Sequence, residues 1–248
     1  MILELEVAIA RLYAVFSSYT VPAEVDMSPY RDPEKAIGAM RRQPLRKLTA
    51  SDLDYYASTA LTTVGDEHLL RYALPRLLEL VTEGDMLTDS EIVMGKLSVG
   101  CWHGWPDSEQ DAINEFLRSW WLNALENEVW GLFTNAGTVL TSIAQAEQEL
   151  AWYLARWESA AKTTATDQLA EWTAFLRDED TGQVQPPAFL SEDSRQWEQL
   201  RAWVVRPETL DRLRRGQIGF SRRDYDDEYD SYNRAIQLLR LAISEGKA

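Results

Sequence analysis

The two histidines and the single cysteine of this 248-residue chain are its best-suited groups for acid–base or nucleophilic chemistry. His68 sits in the run Asp66, Glu67, His68, Arg71, Tyr72. On a helix His68, Arg71 and Tyr72 share a face, because residues three and four apart lie one above the other. An imidazole among carboxylates, with a guanidinium and a phenol alongside, is a small polar site able to move a proton. The same residues also suit an ordinary first helical turn, where acids complement the helix dipole. The second group is Cys101-Trp102-His103-Gly104-Trp105-Pro106. A thiol and an imidazole can form a nucleophile pair. Residues this close in sequence rarely do so, and no oxyanion feature accompanies them. Trp102, His103 and Trp105 read instead as an aromatic loop, with Cys101 a buried thiol against the rings.

A third group is acidic: Asp224, Asp226, Asp227, Glu228 and Asp230. It lacks the glycine and the spaced closing Glu of a calcium loop. The residues suit either the start of a helix, through its dipole, or an acidic interaction patch. No metal site is expected, since H-E-x-x-H, Glu-x-x-His and C-x-x-C are all absent. No cofactor is expected either, because there is no glycine-rich phosphate loop and no dinucleotide fingerprint. A basic cluster, Arg31, Lys35, Arg41, Arg42, Arg46 and Lys47, reads as an internal counterweight to the acids or as an anion-binding patch.

The elements that must position these residues are helices. Ile2, Leu5, Ile9, Leu12, Tyr13 and Phe16 recur at three and four residues and predict an amphipathic first helix. Residues 20–50 carry four prolines and read as a long loop with one short helix near Glu34–Arg41. Ser51, with Asp54 three residues on, predicts a capped helix closed by Gly65. Asp66 is placed to cap the next helix, which Pro75 is expected to kink or restart. A third begins near Thr88 or Asp89. Ser108 with Asp111 forms a capping-box-like helix start, and Ile113, Phe116, Leu117, Trp120, Trp121 and Ala124 then form the clearest stripe, which reads as a core face. Further helices follow at 139–161 (one or two), from Thr166 or Asp167, around Trp197–Val204, from Pro207, and over Tyr229–Ile243.

The expected fold is all-α, with more than half the residues helical and essentially no sheet. Helical segments every ~20 residues would pair at a ~40-residue repeat, compatible with a right-handed α-α superhelix of HEAT type. An irregular helical bundle is the other option. One domain over 1–248 is expected, with a weak boundary near 178–190 in a Gly- and Pro-containing loop.

Some residues also resemble a family. Thr62-Thr63-Val64-Gly65-Asp66, Leu74-Pro75-Arg76-Leu77-Leu78-Glu79-Leu80, Gly95-Lys96-Leu97 and Trp105-Pro106 are similar to an uncharacterised family of bacterial proteins, which carries Trp where Val64 stands. The resemblance covers about a quarter of the chain. It implies a bacterial source and an all-helical fold, and brings no activity or site residues.

Net charge is −15 and the isoelectric point is near 4.6. Such a surface repels phosphate backbones, which argues against direct nucleic-acid binding, and steers basic proteins inward. No apolar run reaches the ~20 residues of a membrane span. Glu4 and Glu6 replace the basic start of a signal peptide, so a cytoplasmic location is expected. The leading functional reading is therefore a non-enzymatic helical protein that binds another protein, of basic character. A narrower alternative is an immunity protein or antitoxin against a basic toxin. The second alternative is an enzyme built on carboxylates and His68.

Overall fold

The structure, a computed structural model, describes residues 3–126, 135–147, 149–220 and 226–244. The protein is all-α: 72% helical, with twelve α-helices and no strand among the described residues. The chain divides into two compact units, Met1–Asn123 and Ala124–Ala248. The 178–190 segment, where the sequence places a weak boundary, lies inside the second unit.

In the first unit, α1 (Leu3–Val15) buries Leu5, Ile9 and Leu12 and ends in a 3₁₀ turn that buries Phe16. The proline-rich stretch holds α2 (Ala39–Arg42), preceded by a π-type turn over Glu34–Gly38. The basic residues there engage the chain itself. Arg41 Nη2 donates to Ala23 O (2.9 Å), Arg42 pairs with Glu34, and Arg46 lies 3.7 Å from the Tyr13 ring centroid.

The start of α3 (Ala50–Thr59) differs from expectation. Its N-cap is Thr49, whose hydroxyl accepts from Asp52 N while Asp52 accepts from Thr49 N, a complete capping box two residues earlier than Ser51. Asp54 is free of that role because its carboxylate and carbonyl bind the backbone and side chain of residues 87 and 88. The helix also closes at Thr59, six residues before Gly65. A tight turn follows, in which Val64 is buried and bridged to Met27.

Helix α4 (Glu67–Glu83) begins at Asp66, whose carboxylate accepts from Leu69 N at 3.0 Å. It does not restart at Pro75. The helix runs through as one element, and the proline is buried among Leu74, Leu77 and Leu78. One backbone hydrogen bond is forgone, offset by packing of the apolar face. Gly84 closes α4 at φ +74°, a left-handed conformation glycine adopts without steric cost.

Next come α5 (Ser90–Val99) and α6 (Asp107–Glu126), which begins before Ser108 because Glu109 N and Gln110 N already donate to Pro106 O, so Ser108 lies inside the helix and does not cap it. The stripe on α6 is core: Ile113, Phe116, Leu117, Trp120 and Trp121 are all buried. Within this unit α4 packs on α1, α3 and α5.

The second unit is a bundle gathered around α9. Its elements are α7 (Ala136–Ala146), α8 (Ala151–Ser159), α9 (Thr163–Phe175), α10 (Arg195–Val204), α11 (Pro207–Phe220) and α12 (Asp226–Ser244). Helix α9 packs against α7, α11 and α12. Gly137 makes the approach of α7 possible, because a Cβ there would collide with the Trp172 ring. Trp157 stacks on Trp203 with centroids 5.6 Å apart and meets Trp172 at the same distance. The Arg212 guanidinium collects the carbonyls of Trp157 and Ala160 (2.6 and 3.1 Å) and so closes the C-terminal end of α8.

Candidate functional site

The first unit joins two of the sequence-derived groups into one cluster. Helix α4 projects Arg71 over the ring of Trp105, 4.4 Å from its centroid. Arg71 pairs with Glu67 one turn earlier (3.2 Å) and with Glu109 of α6 (3.4 Å). The Tyr19 hydroxyl donates to the other oxygen of Glu109 at 2.6 Å. Burial, and then this bond to a carboxylate, hold the Tyr19 phenol above its ordinary pKa. His68 faces the same tyrosine edge-on, with centroids 5.2 Å apart, and its Nε2 lies 3.1 Å from Thr20 O.

Each group in this cluster has a partner that explains it. Asp66 caps α4, His68 binds the backbone at Thr20, and Arg71 joins Glu67 to Glu109. Tyr72 takes no part in these contacts, and burial raises its pKa. Glu109 is buried, so its charge requires compensation, and Arg71 provides it. Chemically the arrangement is a clasp that ties the segment after α1 to α4 and α6. Sequence reading found Arg71 and Trp105 but missed Glu109 and Tyr19. A Glu at the start of a helix looks like a dipole complement, and only the tertiary fold shows it turned inward.

The aromatic loop divides. Trp102 and Trp105 are buried, and Trp105 Nε1 donates to Gly100 O at 2.8 Å. His103 lies against Trp102 at 4.1 Å but is itself exposed. Cys101 corrects the expectation of a buried thiol: it is exposed, because a left-handed backbone (φ +50°) turns its side chain away from the rings.

Of the acidic run, Asp224 lies outside the described residues, as do the side chains of Asp226, Asp227 and Glu228. Asp230 is exposed and pairs with Arg234 one turn on, at 2.5 Å. Its charge is thus balanced locally.

Lys96 was not singled out by spacing. It is buried on α5, and its ammonium donates to Ser58 O (2.9 Å) in the last turn of α3. Burial lowers its pKa, and its position is that of a cation closing a helix C-terminus. Among the described residues no group of three or more His, Cys, Asp or Glu could hold a metal ion, and no helix is long and apolar enough to cross a membrane.

A different feature of the first unit presents itself to solvent. Residues 26–31 are clamped to 63–65: Ser28 N donates to Thr63 O (2.9 Å), Gly65 N to Asp26 O (2.7 Å) and Arg31 Nε to Thr63 Oγ1 (3.0 Å). Tyr30 at this turn is 95% exposed. The loop after α4 is fixed similarly. Met86 is buried, and the backbone N–H groups of Leu87 and Thr88 both donate to Asp54 Oδ1 at 3.0 Å. Leu87 is left 90% exposed.

The two turns rest on consecutive residues of α3, since Arg31 lies 6.0 Å from the ring centroid of Tyr55. Around Leu87 the sequence is acidic, with Glu83, Asp85, Asp89 and Glu91 and no Lys or Arg over 83–91. Compared with protein-family models, with curated proteins and with solved structures, the chain matches none.

Proposed function

We propose that this is a non-enzymatic helical protein that binds a basic protein partner through the Tyr30 and Leu87 turns. The observation that carries the reading is the pair of apolar side chains held outward on hydrogen-bonded turns over neighbouring residues of α3. Scattered exposed apolar residues are ordinary on a protein surface. These two differ because their backbones are anchored, so neither can relieve its exposure by folding inward. A pre-organised anchor loses little conformational entropy on binding, and tyrosine is a favoured interface residue.

Charge selects the partner. Four acids lie within the nine residues around Leu87, on a chain of net charge −15. A rim of one sign steers a partner of the opposite sign and repels its own. Polyanions such as nucleic acid are disfavoured on the same ground.

The test compares the wild-type protein with a Tyr30→Ser, Leu87→Ser double variant in capture from lysate of the source organism. A basic protein retained by the wild type and reduced about tenfold or more by the variant supports the reading. Equal retention by both, or a partner that is itself acidic, overturns it.

A further inference from the structure

The second unit contains a cavity of about 260 Å³ lined by two arginines, Arg177 and Arg201. Arg177 follows α9, and Arg201 stands on α10. Helix α12 adds an apolar wall of Leu238, Leu241 and Ala242, which occupy one stripe at i, i+3 and i+4.

The wall that carries Arg177 is a fixed turn. Asp178 N donates to Gln183 O (2.9 Å), Gly182 N to Asp178 O (2.8 Å) and Gln185 N to Leu176 O (2.8 Å). The Asp178 carboxylate accepts from Thr181 N and Thr181 Oγ1 at 2.6 and 2.7 Å, and is thereby turned toward its own loop. Gly182 adopts φ +68° at the cavity edge, with no side chain to fill the space beside the Arg177 guanidinium.

This arrangement stands against the rest of the molecule. On a chain with 40 acids and 25 bases, no carboxylate among the described residues lines the cavity while two guanidiniums do. Among the described residues Arg177 forms no ion pair. A guanidinium is a planar fork that matches a carboxylate with two parallel hydrogen bonds. The volume lies just under the ~300 Å³ lower end of usual ligand sites, so a small molecule fits and a nucleotide does not. The apolar wall disfavours a bare inorganic anion, which would leave it without contact.

We propose that the cavity binds a small organic carboxylate, its carboxylate paired with Arg177 and a short apolar body against Leu238 and Leu241. The proposal rests on residues other than those of the Tyr30 and Leu87 turns.

The experiment is calorimetric titration of the full chain with hexanoate, with hexanamide and inorganic phosphate as comparison probes. Hexanoate is expected to bind saturably at Kd about 1 mM or tighter, a modest affinity for a ligand of this size. Hexanamide and phosphate are each expected to bind at least about tenfold more weakly. Arg177→Gln should weaken hexanoate about tenfold or more by removing the charge, and Arg177→Lys should restore only part of the affinity.

Leu241→Ser gives an independent arm. The residue is 47% exposed, so its replacement leaves the core intact, and it should weaken hexanoate without introducing phosphate binding. Absence of saturable hexanoate binding overturns the proposal. Equal affinity for hexanamide removes the ionic contact, and equal affinity for phosphate removes the apolar one. Either overturns it, as does hexanoate affinity unchanged in Arg177→Gln.

Discussion

Arg71 holds its guanidinium over Trp105, 4.4 Å from the ring centroid, while bridging Glu67 and Glu109. This one side chain links the first turn of α6 to the second turn of α4. The contact to Trp105 supplies cation–π attraction and covers a large apolar face. The ion pair with Glu109 compensates a buried carboxylate.

Removing Glu109 should therefore be costly. Glu109→Ala leaves Arg71 with Glu67 as its one carboxylate partner among the described residues and deprives the Tyr19 hydroxyl of its acceptor. The expected loss is about 3 kcal/mol in urea melts, the lower end for breaking a buried pair. Glu109→Gln should lose less, because it keeps an acceptor for Tyr19. A loss under about 0.5 kcal/mol for Glu109→Ala would place this carboxylate in solvent.

The capping box at Thr49 and Asp52 predicts a pH dependence. Hydrogen bonds from the Thr49 backbone and hydroxyl hold the Asp52 carboxyl below its ordinary 3.8. A folded pKa below the unfolded one means stability that is present above the unfolded value and lost as pH falls through the folded one. Asp52→Ala should then cost about 1 kcal/mol at neutral pH. That cost should shrink once pH drops below about 4. Urea midpoints of the two proteins across this window decide it, and a gap that widens on acidification would contradict the assignment.

Trp120 tests the core. It is 2% exposed and stacked on Phe116, with ring centroids 5.8 Å apart. Trp120→Ala should destabilise by roughly 3–5 kcal/mol through lost contact and a residual cavity. A loss below about 1 kcal/mol would mean that the ring can be replaced by solvent.

How much of this was legible in the sequence depends on the reach of each interaction. The α6 stripe and the N-cap at Asp66 are local patterns, set by 3.6-residue periodicity and by one short side chain reaching its own helix. Both appear in the structure where spacing places them. The start of α3 was displaced by two residues because Asp54 binds the loop at 87–88, a partner that no local pattern indicates.

Pro75 was expected to interrupt α4, yet the surrounding leucines bury that segment and outweigh one missing hydrogen bond. The clasp draws on Tyr19, Arg71 and Glu109 from three separate stretches. Tyr19 and Glu109 were therefore invisible until the helices packed. Arg177, Arg201 and Leu238 share no motif at all, since only the turn at Gly182 and the stripe on α12 bring them to one cavity.

Tyr30 and Leu87 contribute nothing to the core, and their replacement separates binding from folding. The Tyr30→Ser, Leu87→Ser double variant should melt within about 0.5 kcal/mol of the wild type, as exposed substitutions do. Thermal denaturation of the two proteins checks this. A large loss would show that one of the turns packs on the protein.

The most direct measurement is the association rate of the captured partner at two salt concentrations, for the wild type and for an Asp85→Asn, Asp89→Asn variant. Charges beyond a Debye length of ~10 Å at 0.1 M are screened, and rim charges act on encounter more than on residence. The account predicts that wild-type association slows as salt rises. It predicts that the variant associates more slowly at low salt, with both converging at high salt and with dissociation little changed. An association rate indifferent to salt, or unchanged in the variant, would contradict it.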